Sequence, residues 1–150
     1  MLKLPTLVND ISHLPVRAHP LDAGADLVAA QDTILPFGVR VLVKTGVSVK
    51  IPAGSVGLLV PRSGLSKDYI VMTNSIGIID SDYRGELLAS LMFIGDPREH
   101  TKLEHVIKAG TRIVQLLVIP ISLPVFEVFS GDNWTDTERG TGGFGSTGVK

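Results

Sequence analysis

The chain has 150 residues, the size of one ordinary domain, and it contains no cysteine, so disulfides, thiolate zinc sites and thiol nucleophiles are excluded. Lys and Arg number 14 against 15 Asp and Glu, a net charge of -1, which argues against a nucleic-acid binder and favours a small anionic ligand held by a few placed groups. A mean hydropathy of +0.31 with only 19% charged residues indicates apolar surface buried between subunits, or alternatively a core that is simply rich in Val and Ile.

The N-terminus and the longest apolar stretch argue against export and membrane insertion. The first residues have no apolar core of signal-peptide length, because Pro5 and Asp10 interrupt them. Residues 116–126 are apolar but too few to span a bilayer, and they contain two prolines. We therefore expect a cytoplasmic protein with no membrane partner.

Short β-prone segments separated by Gly and Pro occupy most of the chain. Alternation is clearest at residues 46–51, where Val47, Val49 and Ile51 share one face, and residues 39–43 show the same pattern. Further strands are predicted at residues 57–60, 76–79, 86–93, 112–119 and 125–129, and one short helix at 63–72. Many short strands at this spacing predict an all-β barrel or jelly roll.

Residues 130–150 are polar and Gly-rich, which predicts a β domain at 1–129 followed by a mobile arm. The segment Arg-Gly-Thr-Gly-Gly-Phe-Gly-Ser-Thr-Gly at 139–148 brings together groups that bind phosphate. Its glycines expose backbone N–H groups, Ser146 and Thr147 add hydroxyls, and Arg139 adds a bidentate cation. Phe144 can stack on a nucleobase. A flexible linker is the alternative explanation of the same composition.

Two further polar segments follow predicted strands. In Val-Pro-Arg-Ser-Gly-Leu-Ser at 60–66, Arg62 and Ser63 suit an anion site where the helix begins, or Ser63 simply caps that helix. In the segment 74–85, Asp80 and Asp82 would face the same way in an extended chain. A carboxylate among phosphate-binding groups can activate water as a general base, although a plain hairpin turn has the same composition.

Three more polar positions interrupt apolar surroundings. Asp26 is a lone carboxylate in Ala-Gly-Ala-Asp-Leu at 23–27, and Arg112 and Gln115 interrupt the predicted strand at 112–116. Asn74 offers a donor and an acceptor that suit an imide edge such as that of uracil. The four histidines match no metal-ligand spacing, and His105 is expected in a solvated loop.

Taken in chain order, the segments at 23–27, 60–66, 74–85, 112–116 and 139–148 resemble the first to fifth motifs of the trimeric dUTPase family. The resemblance covers about residues 23–148. The third motif, Gly-Ile-Ile-Asp-Ser-Asp-Tyr-Arg-Gly at 77–85, and the fifth, at 139–148, are the most specific. The resemblance implies a distorted β jelly-roll (β-clip) subunit in a homotrimer with active sites at subunit contacts. It also implies Mg²⁺-dependent hydrolysis of dUTP to dUMP and pyrophosphate, which lowers dUTP and supplies dUMP for dTTP synthesis.

The resemblance implies a role for each matching residue. Asp80 resembles the base that activates the attacking water, Tyr83 lies under the deoxyribose and excludes a 2′-hydroxyl, and Asp26 binds Mg²⁺ through water. The other substrate-binding positions are Asn74, Ile78 and Ile79 for uracil, with Leu88 beside the same hairpin; Arg62, Ser63, Gly64 and Gln115 for the phosphates; and Arg139, Phe144, Gly145, Ser146 and Thr147 in the arm.

Two departures from the family pattern and two rival functions remain. Ala25 stands where the first motif has a larger residue, and residues 94–106 are longer than usual. We expect the latter to form an exposed hairpin with a polar tip at 99–105, a candidate surface for a protein partner. A dCTP deaminase shares the fold, and a non-catalytic regulator could be built on it. Asp80 and the complete arm, both present here, argue against each rival.

Overall fold

A computed structural model of the chain describes residues 3–96, 101, 103–132, 134 and 137–142. Within that part the chain forms eleven β-strands, one short α-helix and a 3-10 turn at Ile11–His13. The elements are β1 (Thr6–Val8), β2 (Ala25–Val28), β3 (Thr33–Pro36), β4 (Arg40–Lys44), β5 (Val47–Val49), β6 (Ser55–Pro61), α1 (Ser63–Lys67), β7 (Ile70–Met72), β8 (Gly77–Ile79), β9 (Leu88–Phe93), β10 (Glu104–Ile107) and β11 (Arg112–Pro120). The predicted all-β class is therefore confirmed.

Four antiparallel sheets enclose one hydrophobic core. The largest has the strand order β2-β11-β6-β8, a second has the order β4-β9-β7, and β1-β5 and β10-β3 form two pairs. Leu27, Leu59 and Ile113 from the largest sheet and Phe93 from the second are at most 1% exposed and belong to the same core. Sheets that share one core in this way form the layered architecture of a jelly roll.

The predicted strand alternation is confirmed at β5 and only partly at β4. Val47, Val49 and Ile51 are all buried, as their shared face predicts. Val43 is buried as well, but Val39 is 49% exposed because it lies before β4, in a turn closed by its N–H bond to the Pro36 carbonyl oxygen. The strands predicted at 57–60, 76–79, 86–93 and 112–119 correspond to β6, β8, β9 and β11.

Two predicted elements are wrong. The helix predicted at 63–72 ends at Lys67, and β7 follows, because Ile70 and Met72 both point into the core and Tyr69 turns the chain with a φ of 54°. The strand predicted at 125–129 has no pairing partner within the described residues of this chain. Its side chains are exposed instead, with Val125 at 86%, Phe126 at 93% and Val128 at 97%.

The described part of 94–106 also differs from the predicted hairpin. Residues 104–106 belong to β10, which pairs with β3, so this part is built into the body of the fold. His105 is half-buried and its ring lies 5.8 Å from that of Phe93, so it is not in a solvated loop. Residues 97–100 and 102, at the predicted polar tip, lie outside the described residues, and a protein partner there stays a prediction.

The sequence pattern missed β1, β2, β3 and β10, which are short strands whose partners lie far away in the chain. Among the described residues, no helix is long and apolar enough to cross a membrane.

Candidate active site

A polar cleft of about 390 Å³ opens at one end of the largest sheet. Strand pairing places Asp26 beside Gln115 and Gln115 beside Val60, and Arg62 follows two residues later, directly after β6. The cleft is lined by Ala18, His19, Asp22, Ala23, Gly24, Asp26, Arg62, Ser63 and Gln115. Residues of the segments 23–27, 60–66 and 112–116 therefore meet in one cleft of a single chain.

Two arginines hold the carboxylate of Asp26. Arg62 Nε lies 2.7 Å from Asp26 Oδ1, and Arg112 Nη1 lies 3.2 Å from Asp26 Oδ2. The Asp26 side chain is only 14% exposed, whereas those of Arg62 and Arg112 are 29% and 53% exposed. Each guanidinium keeps donors that point away from Asp26, and these are suited to an anion.

The start of α1 does not match the alternative prediction that Ser63 caps the helix. Arg62, not Ser63, occupies the N-cap position, and its side chain makes no capping hydrogen bond because it is directed to Asp26. Ser63 is the first helical residue, and its carbonyl oxygen accepts a 2.7 Å bond from Ser66 Oγ. Ser63 and Gly64 are both exposed at the start of the helix, where backbone N–H groups have no partner within the helix, and Ser63 lines the cleft.

Gly24 is required by the position of the Gln115 side chain. A Cβ at Gly24 would overlap Gln115 Oε1, so the backbone at residue 24 lies directly against the amide group. The sequence flagged Gln115 as a polar residue that needs a partner or a wet cleft, and the side chain is in fact half-buried in the cleft wall. Gly24 was not singled out from the sequence, since its close approach depends on a partner far along the chain.

The candidate residues of the third motif, together with Leu88, lie on the segment that runs from the end of β7 through β8 to the start of β9. This segment is called the hairpin below. Asn74 is in the turn before β8, Asp80 directly follows β8, and both side chains are exposed. Ile78 is 62% exposed, Tyr83 42% and Leu88 36%, whereas Ile79 packs against the core. The hairpin therefore presents apolar groups beside a carboxylate, which suits a planar base or a second protein chain.

The hairpin and the cleft are separated within one chain. β2 and β8 are the opposite edges of the four-stranded sheet, and Ile79 is paired with Gly57 whereas Asp26 lies level with Val60. At standard strand spacing and rise, Asp80 is about 20 Å from Asp26 in such a sheet. Asp80 is not among the residues that line the cleft. One chain therefore does not bring the two groups of residues together.

The arm is described only in part. Arg139 is exposed, and its Nε donates a 3.0 Å bond to the Gly142 carbonyl oxygen within a local turn, so it is not brought to the cleft. Phe144, Gly145, Ser146 and Thr147 lie outside the described residues.

The side chains of the cleft suit Mg²⁺ that is bound through its water molecules and not by direct coordination. Among the described residues, no three His, Asp or Glu side chains are grouped as direct metal ligands. Asp26 keeps lone pairs beside its two arginine contacts, so its oxygens can accept bonds from the water shell of Mg²⁺. Such a shell is retained when Mg²⁺ is bound mainly by phosphates.

The fold and the cleft define a class: an all-β, jelly-roll-like subunit with an arginine-containing cleft suited to a small anionic ligand. The dUTPase family model matches residues 10–148. The chain belongs to the dUTPase family, an enzyme family. It is 49% identical over 138 residues to the deoxyuridine 5′-triphosphate nucleotidohydrolase of Corynebacterium jeikeium, covering 91% of this chain and 86% of that protein.

Solved structures support the same assignment. The dUTPase of Staphylococcus bacteriophage 80alpha with dUpNHpp is 29% identical, with a TM-score of 0.86 over 99% of this chain and 100% of that chain. A mutant dUTPase from phage phi11 of S. aureus, described for the coordination of a structural Mg(II) ion, is 26% identical, with a TM-score of 0.77 over 89% and 100% of the two chains.

Proposed function

We propose that this chain hydrolyses dUTP to dUMP and pyrophosphate, which lowers dUTP and supplies dUMP for dTTP synthesis. The observation that carries the proposal is the cleft in which Asp26, Arg62 and Gln115 meet, in a member of a family whose relatives are named for this reaction. The cleft offers guanidinium, amide and backbone N–H donors in one place, and a triphosphate needs donors of these kinds.

The phosphate chain is held by residues of the cleft. Arg62 is fixed by Asp26 on one side, so its free guanidinium donors are oriented toward the cleft without the entropic cost of ordering a free side chain. The Ser63 hydroxyl, the Gly64 N–H and the Gln115 amide add hydrogen bonds to the phosphate oxygens. Together these groups leave the α-phosphorus open to a water molecule that attacks in line with the departing pyrophosphate.

Asp80 is the general base for this attack. An exposed carboxylate that follows a short strand can accept a proton from water without leaving a buried, unpaired charge. The proton moves from the attacking water to the Asp80 carboxylate as the new P–O bond forms, and the bond from the α-phosphorus to the bridging oxygen of pyrophosphate breaks.

Mg²⁺ would be held by the triphosphate and by Asp26 through water, and it supplies charge neutralisation of the phosphates when bound. Arg112 completes the Asp26 cluster, since its guanidinium contacts the second carboxylate oxygen and holds the carboxylate in place.

The nucleoside is recognised by the hairpin. The Asn74 amide and the backbone of Ile78 and Ile79 pair with the uracil edge, and the exposed side chain of Leu88 lies beside the base. The ring of Tyr83 lies under the deoxyribose and leaves no room for a 2′-hydroxyl. Residues 130–150 form the arm that closes over the nucleotide, with Arg139, Ser146 and Thr147 on the γ-phosphate, Gly145 beside them and Phe144 on the uracil.

A complete site forms between subunits of a homotrimer. About 20 Å separates Asp80 from Asp26 in one chain, so the hairpin must meet the cleft of another subunit. The segment 121–129 supports this assembly, because Leu123, Val125 and Phe126 are 74%, 86% and 93% exposed and no other part of the described chain covers them.

The proposal is tested by pyrophosphate release from the purified protein with Mg²⁺, comparing dUTP with dCTP, dTTP and UTP. We expect release from dUTP alone. Release from all four nucleotides would contradict the assigned recognition of base and sugar, and ammonia release from dCTP would replace the proposal with deamination.

A further inference from the structure

The loop that contains Tyr83 is joined to the rest of the chain through Glu86. The Tyr83 hydroxyl donates a 3.0 Å hydrogen bond to the Glu86 carbonyl oxygen. Arg84 donates bonds of 2.8 and 2.7 Å to the carbonyl oxygens of Ser81 and Tyr83. Among the described residues, the side-chain hydrogen bonds of this loop therefore connect it only to itself and to Glu86.

Glu86 is in turn fixed to a turn that is distant in sequence. The backbone N–H of Gly46, between β4 and β5, donates a 2.7 Å bond to Glu86 Oε1. Leu87 adds two bonds to the same turn, because its N–H donates to the Val47 carbonyl oxygen at 2.7 Å and its carbonyl oxygen accepts from Thr45 Oγ1 at 2.6 Å. The Glu86 bond is charge-assisted and involves a buried N–H group, which makes it a strong contact.

His13 closes the other side of this turn. A Cβ at Gly46 would overlap His13 Nδ1, so the imidazole lies directly on the Gly46 backbone. Removing the Glu86 carboxylate would leave the Gly46 N–H buried without its acceptor, and such a group is costly. We expect the loop that starts at Asp80 to move and relieve this cost, since an exposed segment opens more easily than a buried turn.

We propose that Glu86 is a positioning residue for sugar discrimination. Its carboxylate fixes the segment whose carbonyl oxygen orients the Tyr83 hydroxyl, and so it sets where the Tyr83 ring lies under the sugar. This inference rests on the proposed function, in which Tyr83 excludes a 2′-hydroxyl. Glu86 itself touches neither the nucleotide nor the attacking water.

The test is the ratio of kcat/KM for dUTP to that for UTP in Glu86→Ala and Glu86→Gln. We expect Glu86→Ala to lower the ratio about tenfold, since a shift of the Tyr83 ring relaxes the steric limit at the 2′ position. Glu86→Gln should keep most of the ratio, because its amide oxygen still accepts from Gly46. Glu104→Ala, which removes an exposed carboxylate on β10, is the matched control and should leave the ratio unchanged.

A merely structural role gives a different result. A partly unfolded Glu86→Ala protein would lose activity on both nucleotides equally, and the ratio would not move. An unchanged ratio, or an equal fall in Glu86→Gln, therefore overturns the proposal. If the wild-type protein does not hydrolyse dUTP, the proposed function fails separately. Amide hydrogen exchange then still tests the contact itself, since faster exchange at 80–87 in Glu86→Ala supports the fixing of this loop by Glu86 and unchanged exchange overturns it.

Discussion

At the scale of single residues, the site contains two aspartates in opposite situations. Asp26 is nearly buried and paired with two arginines, whereas Asp80 is exposed on the hairpin. Two guanidinium groups hold the Asp26 carboxylate in a fixed position, which suits an anchor, whereas the Asp80 carboxylate makes no such ion pair among the described residues. We therefore propose Asp80 as the general base and Asp26 as the group that orients Arg62 and the water shell of Mg²⁺.

Asp80→Asn should lower kcat by about 10²–10⁴, the usual contribution of a general base, and leave dUTP binding and assembly unchanged. Pyrophosphate release measures the first effect, and nucleotide titration measures the second. Asp82→Asn is the control, since Asp82 is an exposed carboxylate two residues further along the same loop. Near-normal turnover of Asp80→Asn would remove it from this role.

At the scale of elements, an ion pair fixes the start of β3 to the turn between β10 and β11. Lys108 Nζ donates a 2.8 Å bond to Asp32 Oδ2, and the Ala109 N–H donates a 2.9 Å bond to Asp32 Oδ1. The hydrogen bond from Lys108, followed by that from the Ala109 backbone, lowers the pKa of Asp32 below its ordinary value of 3.8. Because the folded pKa is the lower one, the contact stabilises the fold above about pH 4 and is lost as the pH falls through the folded pKa.

Asp32→Asn should therefore lower the unfolding temperature near neutral pH, and the difference from the wild type should shrink as the medium is acidified below about pH 4. Thermal unfolding at a series of pH values measures this. Lys108→Met should give the same profile, because it removes the other partner. A difference that stays constant down to acid pH would show that the contact does not depend on the Asp32 charge.

The turn between β4 and β5 tolerates only glycine. Gly46 has a φ of 68°, and a Cβ there would also overlap His13. Gly54 has a φ of 75° but open space around it, which makes Gly54→Ala the matched control. We expect Gly54→Ala to cost about 1–2 kcal/mol from backbone strain alone, and Gly46→Ala to cost about 1–3 kcal/mol more from the overlap. Denaturant unfolding measures both, and equal losses would contradict the overlap.

The sequence predicted some strands and site residues correctly, but it could not predict how distant strands pair. Local alternation located β5, and residue chemistry selected Asp26, Arg62 and Gln115, which do meet in the cleft. The pairing of β2 with β11 could not be predicted, because it joins residues almost ninety positions apart and no local pattern encodes that register. The Arg112 contact to Asp26 and the close approach at Gly24 follow from that pairing and were missed for the same reason.

The helix predicted at 63–72 was too long for a related reason. Ile70, Val71 and Met72 form a short continuous apolar run, which a buried helix and a buried strand can both contain. The pairing of β7 with β9 decides between the two, and that contact is tertiary. The chain turns between the helix and the strand at Tyr69, which has a positive φ. Because this residue is not a glycine, the sequence gives no signal of the turn.

At the scale of the whole molecule, we expect that no single chain contains a complete site. The cleft and the hairpin lie at opposite edges of the largest sheet, and the exposed apolar segment 121–129 lacks a partner within the described chain. The proposed cyclic homotrimer would supply both missing contacts, since each cleft could face the hairpin of a neighbour. The mean hydropathy of +0.31, high for a chain of this size, agrees with extensive burial between subunits.

The most direct measurement of this claim mixes two inactive variants, Arg62→Ala, which disables the cleft, and Asp80→Asn, which disables the hairpin. After joint unfolding and refolding at equal amounts, dUTP hydrolysis should recover to about a quarter of the wild-type rate, because one neighbour contact in four then joins an intact cleft to an intact hairpin. Each variant refolded alone is the control and should stay inactive. Mixed trimers without recovered activity would contradict the shared site and place the whole site within one chain.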